Sequence, residues 1–155
     1  MYCYNSQEIK KGDTFLCLPG GEPYVNDAKN RGALEIKHVS RKEMAELAHD
    51  YYKHPSKSLC VYGVTGTNGK TSVCHFLHCA LTYLGRKSCL QGTLTHRLTT
   101  PESLDTVTAM AMHRDSGGTD FVMEVSSHGI AQDRIYGISF AVRCLTNISQ
   151  DHLDY

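Results

Sequence analysis

The chain carries no excess of charge: Lys+Arg and Asp+Glu number 16 each among 155 residues. That balance leaves no basic nucleic-acid footprint and no acidic tail, so no nucleic-acid partner is expected. No stretch approaches the ~20 consecutive apolar residues that cross a bilayer. The opening "MYCYNSQEIKKGD" also lacks the apolar segment of a secretory leader. No membrane partner is expected, and the location read from these absences is the cytoplasm. Seven cysteines are present (Cys3, Cys17, Cys60, Cys74, Cys79, Cys89 and Cys144), but none stands in a C-x-x-C pair. Spacing therefore suggests no zinc or redox site, and the irregular set reads as reduced thiols. There is no internal repeat and no low-complexity tract.

What is present is an ordinary globular profile, with 41% hydrophobic and 21% charged residues. A domain of this length buries roughly 68–70% of the surface of its unfolded chain, enough for a core without staples. "TFLCL" (14–18) reads as a short strand closed by the turn residues "PGGEP". "YVNDAKNRGA" reads as a short helix ending near Gly32, and "LEIKHV" alternates as a strand does. Ser40 and Glu43 then form an S-x-x-E capping box ahead of Met44, Leu47, Ala48 and Tyr51 at helical spacing. The polar "KHPSKS" around Pro55 places a boundary between an N-terminal appendage (1–57) and a main domain (58–155).

In the main domain "SLCVYGV" is expected as a buried strand, and residues 70–84 as a helix stopped by Gly85. Val73, Phe76, Leu77, Ala80, Leu81 and Leu84 would mark its buried face. "SCLQGTL", "DFVMEVSS" and "FAVRCLTNIS" are further strand candidates. "TTPESLDTVTAMAMHRDSGG" reads as a helix with Thr100 as N-cap and Pro101 in the first turn. Strands alternating with helices imply right-handed crossovers. The expected fold is α/β, a P-loop-type, mostly parallel sheet flanked by helices, with a small N-terminal α/β appendage.

The densest signal is "VYGVTGTNGKTSVCHFL" (61–77). Gly63, Gly66 and Gly69 would weaken a strand or helix if they lay inside it, so they point to backbone that approaches something closely. A strand, a glycine-rich turn and a helix headed by Lys70, Thr71 and Ser72 make an anion cradle. Backbone N–H groups face phosphate oxygens, Lys70 reaches the outer phosphates and the Thr71 hydroxyl suits Mg²⁺. The strict P-loop pattern would need glycine at Val64, so this is a variant in which Gly63 or Gly66 makes the turn. The expected nucleotide-binding set is Gly66, Thr67, Asn68, Gly69, Lys70, Thr71 and Ser72. Glu124 ends the apolar strand "FVMEV" beside that loop, where open α/β sheets place ligands, and reads as a Mg²⁺ ligand. His152, in "DHLDY", reads on its own as either a surface histidine or a metal ligand.

"GVTGTNGKTS" closely resembles the ATP-binding loop of the Mur ligase family, which joins amino acids to cell-wall precursors. "TTPES" (99–103), "MEVSSHGIAQDR" (123–134) and "TNISQDHLDY" (146–155) agree with it. The combination is most similar to the branch that adds the third residue of the peptide stem, in peptidoglycan synthesis and hence cell shape and division. The likeness is strong over about residues 59–155. It is weaker over 5–40, where Asn5 and Gln7 stand in place of an acidic residue and an arginine and the Asp-Gly-His segment after the Pro-Gly turn is missing. The central domain resembled is incomplete, since the family's carbamylated lysine and its C-terminal domain would follow Tyr155.

The resemblance implies ATP and Mg²⁺ as cofactors, with Thr71, Glu124 and His152 holding the metal and Asp151 supporting them. It implies Lys70, Glu124 and His152 as the catalytic set, and substrate contacts from Thr99, Thr100, Ser126, Gln132 and Arg134. His128 is open between positioning a phosphate and capping a turn. The implied partners are a UDP-N-acetylmuramoyl dipeptide and an amino acid, lysine or diaminopimelate, with the protein a monomer. A substrate carboxylate would attack the γ-phosphate of ATP to give an acyl phosphate, which the amine then displaces without a side-chain nucleophile. A chain that stops at Tyr155 is expected to be inactive in amide formation alone. A generic P-loop phosphotransferase or NTPase, or a non-catalytic nucleotide-binding remnant, would use the same cradle.

Overall fold

The computed structural model describes residues 1–149, so Asp151 and His152 lie outside the described residues. Two sheets organise the chain, and every pairing in both is parallel. The first has the order β1 (Tyr2–Cys3), β2 (Thr14–Cys17), β3 (Glu35–His38). The central strand β2 buries residues on both faces. Phe15 and Cys17 pack against Ala28 of α1 (Val25–Asn30), while Leu16 packs against Met44 and Ala48 of α2 (Arg41–Tyr51). The capping box at the start of α2 forms as expected, with Glu43 N–H donating to Ser40 Oγ at 3.2 Å and Ser40 N–H donating to the Glu43 carboxylate at 2.8 Å.

The second sheet has the order β5 (Ser88–Gln91), β6 (Asp120–Glu124), β4 (Cys60–Thr65), β7 (Val142–Leu145). α3 (Lys70–Tyr83) follows β4, α4 (Ser103–Asp115) follows β5 and α5 (Ser127–Ala131) follows β6. The strand β6 is buried at all five positions, as its near-continuous apolar run requires of a strand covered on both faces. On one face Cys74 and Leu81 of α3 meet Val64 and Val122. On the other, Met110 of α4 meets Val61, Phe121 and Met123. The α/β fold is the one the sequence implied.

The N-terminal half of α4 also faces α2, where Leu104 and Val107 join Leu16, Met44 and Ala48 in one apolar cluster. α4 thus packs on both layers, with Leu104 and Val107 in this cluster and Met110 in that of the second sheet. Among the described residues no helix is long and apolar enough to cross a membrane.

Three local expectations are corrected. Phe76 and Leu84 are 75% and 72% exposed rather than on the buried face of α3. Phe76 points about 100° around the helix from Leu77, and Leu84 is the C-cap residue, past the last full turn. α4 starts at Ser103 with Glu102 as its N-cap residue, not at Thr100, because the Thr100 hydroxyl is engaged elsewhere. Gly63 does not turn the chain: it lies inside β4 opposite Met123 and Arg143. A Cβ there would stand 2.6 Å from the Phe140 ring, so this glycine makes room for an aromatic side chain.

Candidate active site

Strand order places the site. β4 lies between β6 and β7, with Val64 opposite Glu124 and Thr65 opposite Leu145. The chain leaves β4 toward β5 on one side and returns to β7 on the other. The carboxyl ends of β4 and β6 therefore flank the topological switch point, where open α/β sheets form a crevice.

The glycine loop fills that position. Gly66 has φ +135° and Gly69 φ +87°, values that side-chain-bearing residues rarely adopt. At Gly66 a Cβ would also collide with Thr146 Oγ1 and the Asn147 carbonyl. Gly69 is the N-cap residue of α3 and has no side chain to cap it. The first bond of the helix runs from Val73 N–H to Gly69 O at 3.0 Å, so the N–H groups of Lys70, Thr71 and Ser72 have no partner within the helix. These three donors and the positive end of the helix dipole face the loop.

The rest of the loop is braced by the segment after β7. Thr67 N–H donates to the Asn147 carbonyl at 3.1 Å and Asn68 N–H to Asn147 Oδ1 at 3.0 Å. Thr146 Oγ1 and Asn147 Nδ2 donate to Asn68 O at 2.6 and 3.0 Å. Thr67 and Asn68, both expected to donate amides to phosphate, thus have those amides engaged by Asn147. Lys70 Nζ donates to Gly66 O at 2.7 Å and Thr67 O at 3.0 Å. The ammonium ties the loop closed and keeps one proton available. A cavity of about 360 Å³ opens here, lined by Gly66, Thr67 and Lys70 with Ser126 and Asn147.

Glu124 stands at the rim of the loop, only 2% exposed. Its carboxylate accepts from Thr71 Oγ1 at 2.9 Å, from Thr93 N–H at 2.9 Å and from Thr93 Oγ1 at 3.3 Å. All are neutral donors, and among the described residues no ion pair involves Glu124. A buried carboxylate without a cationic partner is costly unless a cation joins it. The hydroxyl and carboxylate that meet here are hard oxygen donors of the kind Mg²⁺ takes. The residues fit the metal. Thr93 was not foreseen from the sequence, although Gly92 before it, at a strand end, is the usual mark of a close approach. A Cβ at Gly92 would collide with the Glu124 carboxylate.

The expected substrate residues converge on a neighbouring cluster. Thr100, 1% exposed, donates from Oγ1 to Glu124 O at 3.1 Å and accepts from Ser126 N–H at 2.9 Å. Thr99 Oγ1 lies 3.1 Å from Thr93 Oγ1. Ser126 caps α5, accepting from Gly129 N–H at 3.0 Å, and His128 lies on that short helix. Arg134 donates to Thr100 O at 2.9 Å and to Gln132 Oε1 at 2.6 Å, and its Nε lies 3.4 Å from Glu102. Glu102 also pairs with Arg41 of α2 at 3.2 Å. The Arg134 guanidinium is thus engaged in holding the 99–102 turn against α5. Its fork positions Thr100.

The sequence pattern of the Mur ligase middle domain matches residues 64–155. The chain belongs to the Mur ligase family. UDP-N-acetylmuramoyl-L-alanyl-D-glutamate–2,6-diaminopimelate ligases from Syntrophomonas wolfei and Nitrosomonas europaea are 35% and 36% identical to it, over 98% and 97% of this chain. It spans only 37% and 35% of their lengths. Those alignments run to 181 and 186 positions. They are longer than the chain itself, so these Mur ligases carry residues within the matched region that this chain lacks. A solved structure of a UDP-N-acetylmuramoyl-L-alanyl-D-glutamate–2,6-diaminopimelate ligase superposes with a TM-score of 0.82 at 26% identity, covering 98% of this chain and 37% of that one. MurF from Acinetobacter baumannii shares the fold at 19% identity, with a TM-score of 0.70, over 99% of this chain and 36% of its own.

Proposed function

We propose that this chain supplies the nucleotide-binding machinery of an ATP-dependent ligase. That ligase would add the third amino acid, diaminopimelate or lysine, to a UDP-N-acetylmuramoyl dipeptide. The observation that carries the reading is the convergence of the α3 N-terminus, Lys70 and the buried Thr71–Glu124 pair at the switch point of the sheet. In this reading the N–H groups of Lys70, Thr71 and Ser72 hold the β- and γ-phosphates, and the ammonium of Lys70 turns its remaining proton toward them. Thr71 and Glu124 hold Mg²⁺, with His152, outside the described residues, as the third ligand. Bound there, Mg²⁺ supplies the positive charge that lets a substrate carboxylate approach a triphosphate. Thr99 and Ser126, both partly exposed, orient that carboxylate, with Thr100, Gln132 and Arg134 fixing the turn that carries them. Stabilising charge as phosphoryl transfer proceeds is then the main catalytic contribution, and no nucleophilic side chain is needed.

Equilibrium dialysis with labelled ATP and UDP-N-acetylmuramoyl dipeptide tests this. Both ligands are expected to bind together, and the Mg²⁺ dependence of ATP binding should disappear in Glu124→Gln. ATP binding that never depended on Mg²⁺, with no binding of the dipeptide, would instead favour a generic phosphate-binding module.

A further inference from the structure

Away from the nucleotide loop, at the carboxyl ends of β2 and β3, Cys17, Glu22 and His38 offer a sulfur, a carboxylate oxygen and an imidazole nitrogen. All three atoms lie within 4.8 Å of one another. Cys17 is the register partner of His38 in the parallel ladder, which puts both side chains on the same face of the sheet. Glu22 arrives from the turn that follows β2. Gly20 takes φ +83°, and Gly21 N–H closes the turn onto Leu18 O at 2.8 Å. A Cβ at Gly21 would lie 3.3 Å from Cys17 Sγ, so the backbone passes close over the sulfur and delivers the next residue beside it. The sulfur belongs to a buried residue, whereas Glu22 and His38 are exposed. The site is therefore anchored at one end and reachable at the other.

We propose that Cys17, Glu22 and His38 form a binding site for a thiophilic divalent cation of the zinc class. Sulfur, nitrogen and oxygen at one point suit Zn²⁺, which takes four ligands in a tetrahedron. Three protein ligands leave the fourth position for water or another donor. The same set suits Mg²⁺ or Ca²⁺ poorly, because those ions prefer oxygen throughout. Binding replaces the thiol proton with the metal, forming the sulfur–metal bond and releasing one H⁺ to solvent. Positions 17, 22 and 38 match no linear metal motif. Strand register and the Gly20–Gly21 turn assemble them, which is why cysteine spacing gave no sign of the site.

Cobalt(II) titration of the whole chain, followed by absorption, tests this. The parent should develop a near-ultraviolet thiolate-to-cobalt band that saturates at one equivalent and is discharged by Zn²⁺. Cys17→Ser should abolish the band, and His38→Ala and Glu22→Gln should each weaken cobalt binding by at least about tenfold. If Cys17→Ser fails to fold, the two exposed variants decide alone. The proposal is overturned by the absence of the band in the parent, or by a band with unchanged affinity in the variants, which would assign it to other cysteines. Mg²⁺ at Glu124 involves no thiolate and gives no such band, so this outcome is independent of the proposed ligase activity.

Discussion

Asp120, at the start of β6, shows how a single buried charge is kept in this fold. Its side chain has no exposure, yet Arg86 Nε donates to it at 2.7 Å and Tyr62 OH at 3.1 Å, with Thr119 Oγ1 as a third donor. Burial opposes the charge, but the three donors outweigh it and hold the carboxyl below its ordinary value of 3.8. A depressed folded pKa contributes stability that is present above the unfolded value and lost as pH falls through the folded one. Asp120→Asn should therefore unfold at a lower denaturant concentration than the parent at pH 7, and the gap should begin to narrow only as pH falls below about 4. A gap independent of pH would contradict this. At the same scale, the placement of Lys70, Thr71 and Glu124 was legible because each follows from local order: a lysine and a hydroxyl at a helix start, a carboxylate at a strand end. Thr93, Asn147 and the room Gly63 leaves for Phe140 were not, since each depends on a partner distant in sequence.

Elements were legible where their start and stop signals are local. The helix after Ser40 was marked by its capping box, and both reciprocal bonds are present. Ser40→Ala removes the acceptor of the Glu43 N–H and the hydroxyl that donates to the Glu43 carboxylate, leaving only the backbone Ser40 N–H on that carboxylate, which should cost about 1 kcal/mol. In a chain of this size that is a fall of roughly 2–4 °C in melting temperature, readable by circular dichroism. A change within half a degree would mean that packing alone holds the first turn. The start of α4 was misread for the opposite reason. Thr100 and Pro101 look like a cap and first turn, but the Thr100 hydroxyl is held by Glu124 O and Ser126 N–H. A tertiary bond outcompetes the local cap, and the helix begins after Glu102. The exposure of Phe76 and Leu84 has a similar lesson: helical periodicity locates a stripe but not its edges.

For the whole molecule, the shared cluster of Leu16, Met44, Ala48, Leu104 and Val107 matters most. It joins β2 and α2 to α4, whose Met110 packs on the second sheet, and the Arg41–Glu102–Arg134 chain of charges runs beside it. Leu104→Ala should cost about 2–5 kcal/mol. Because α4 serves the cores of both sheets, they should lose stability together in one transition. Two separated transitions in the variant would mean the sheets fold independently. Hydrophobic pattern revealed the alternation of strands and helices, and with it the α/β class. It carried no information on the packing of α4 against α2, because either face of α4 is apolar enough to be buried.

The central claim is that the α3 N-terminus and Lys70 hold the polyphosphate of a nucleotide. Calorimetric titration of ATP·Mg²⁺ into the chain and into Lys70→Ala tests it most directly. A charge-assisted hydrogen bond contributes about 1.5–3 kcal/mol, so the variant should bind roughly ten- to a hundredfold more weakly while melting as a folded protein. Equal affinity in the two proteins, or no heat of binding in the parent, would contradict it.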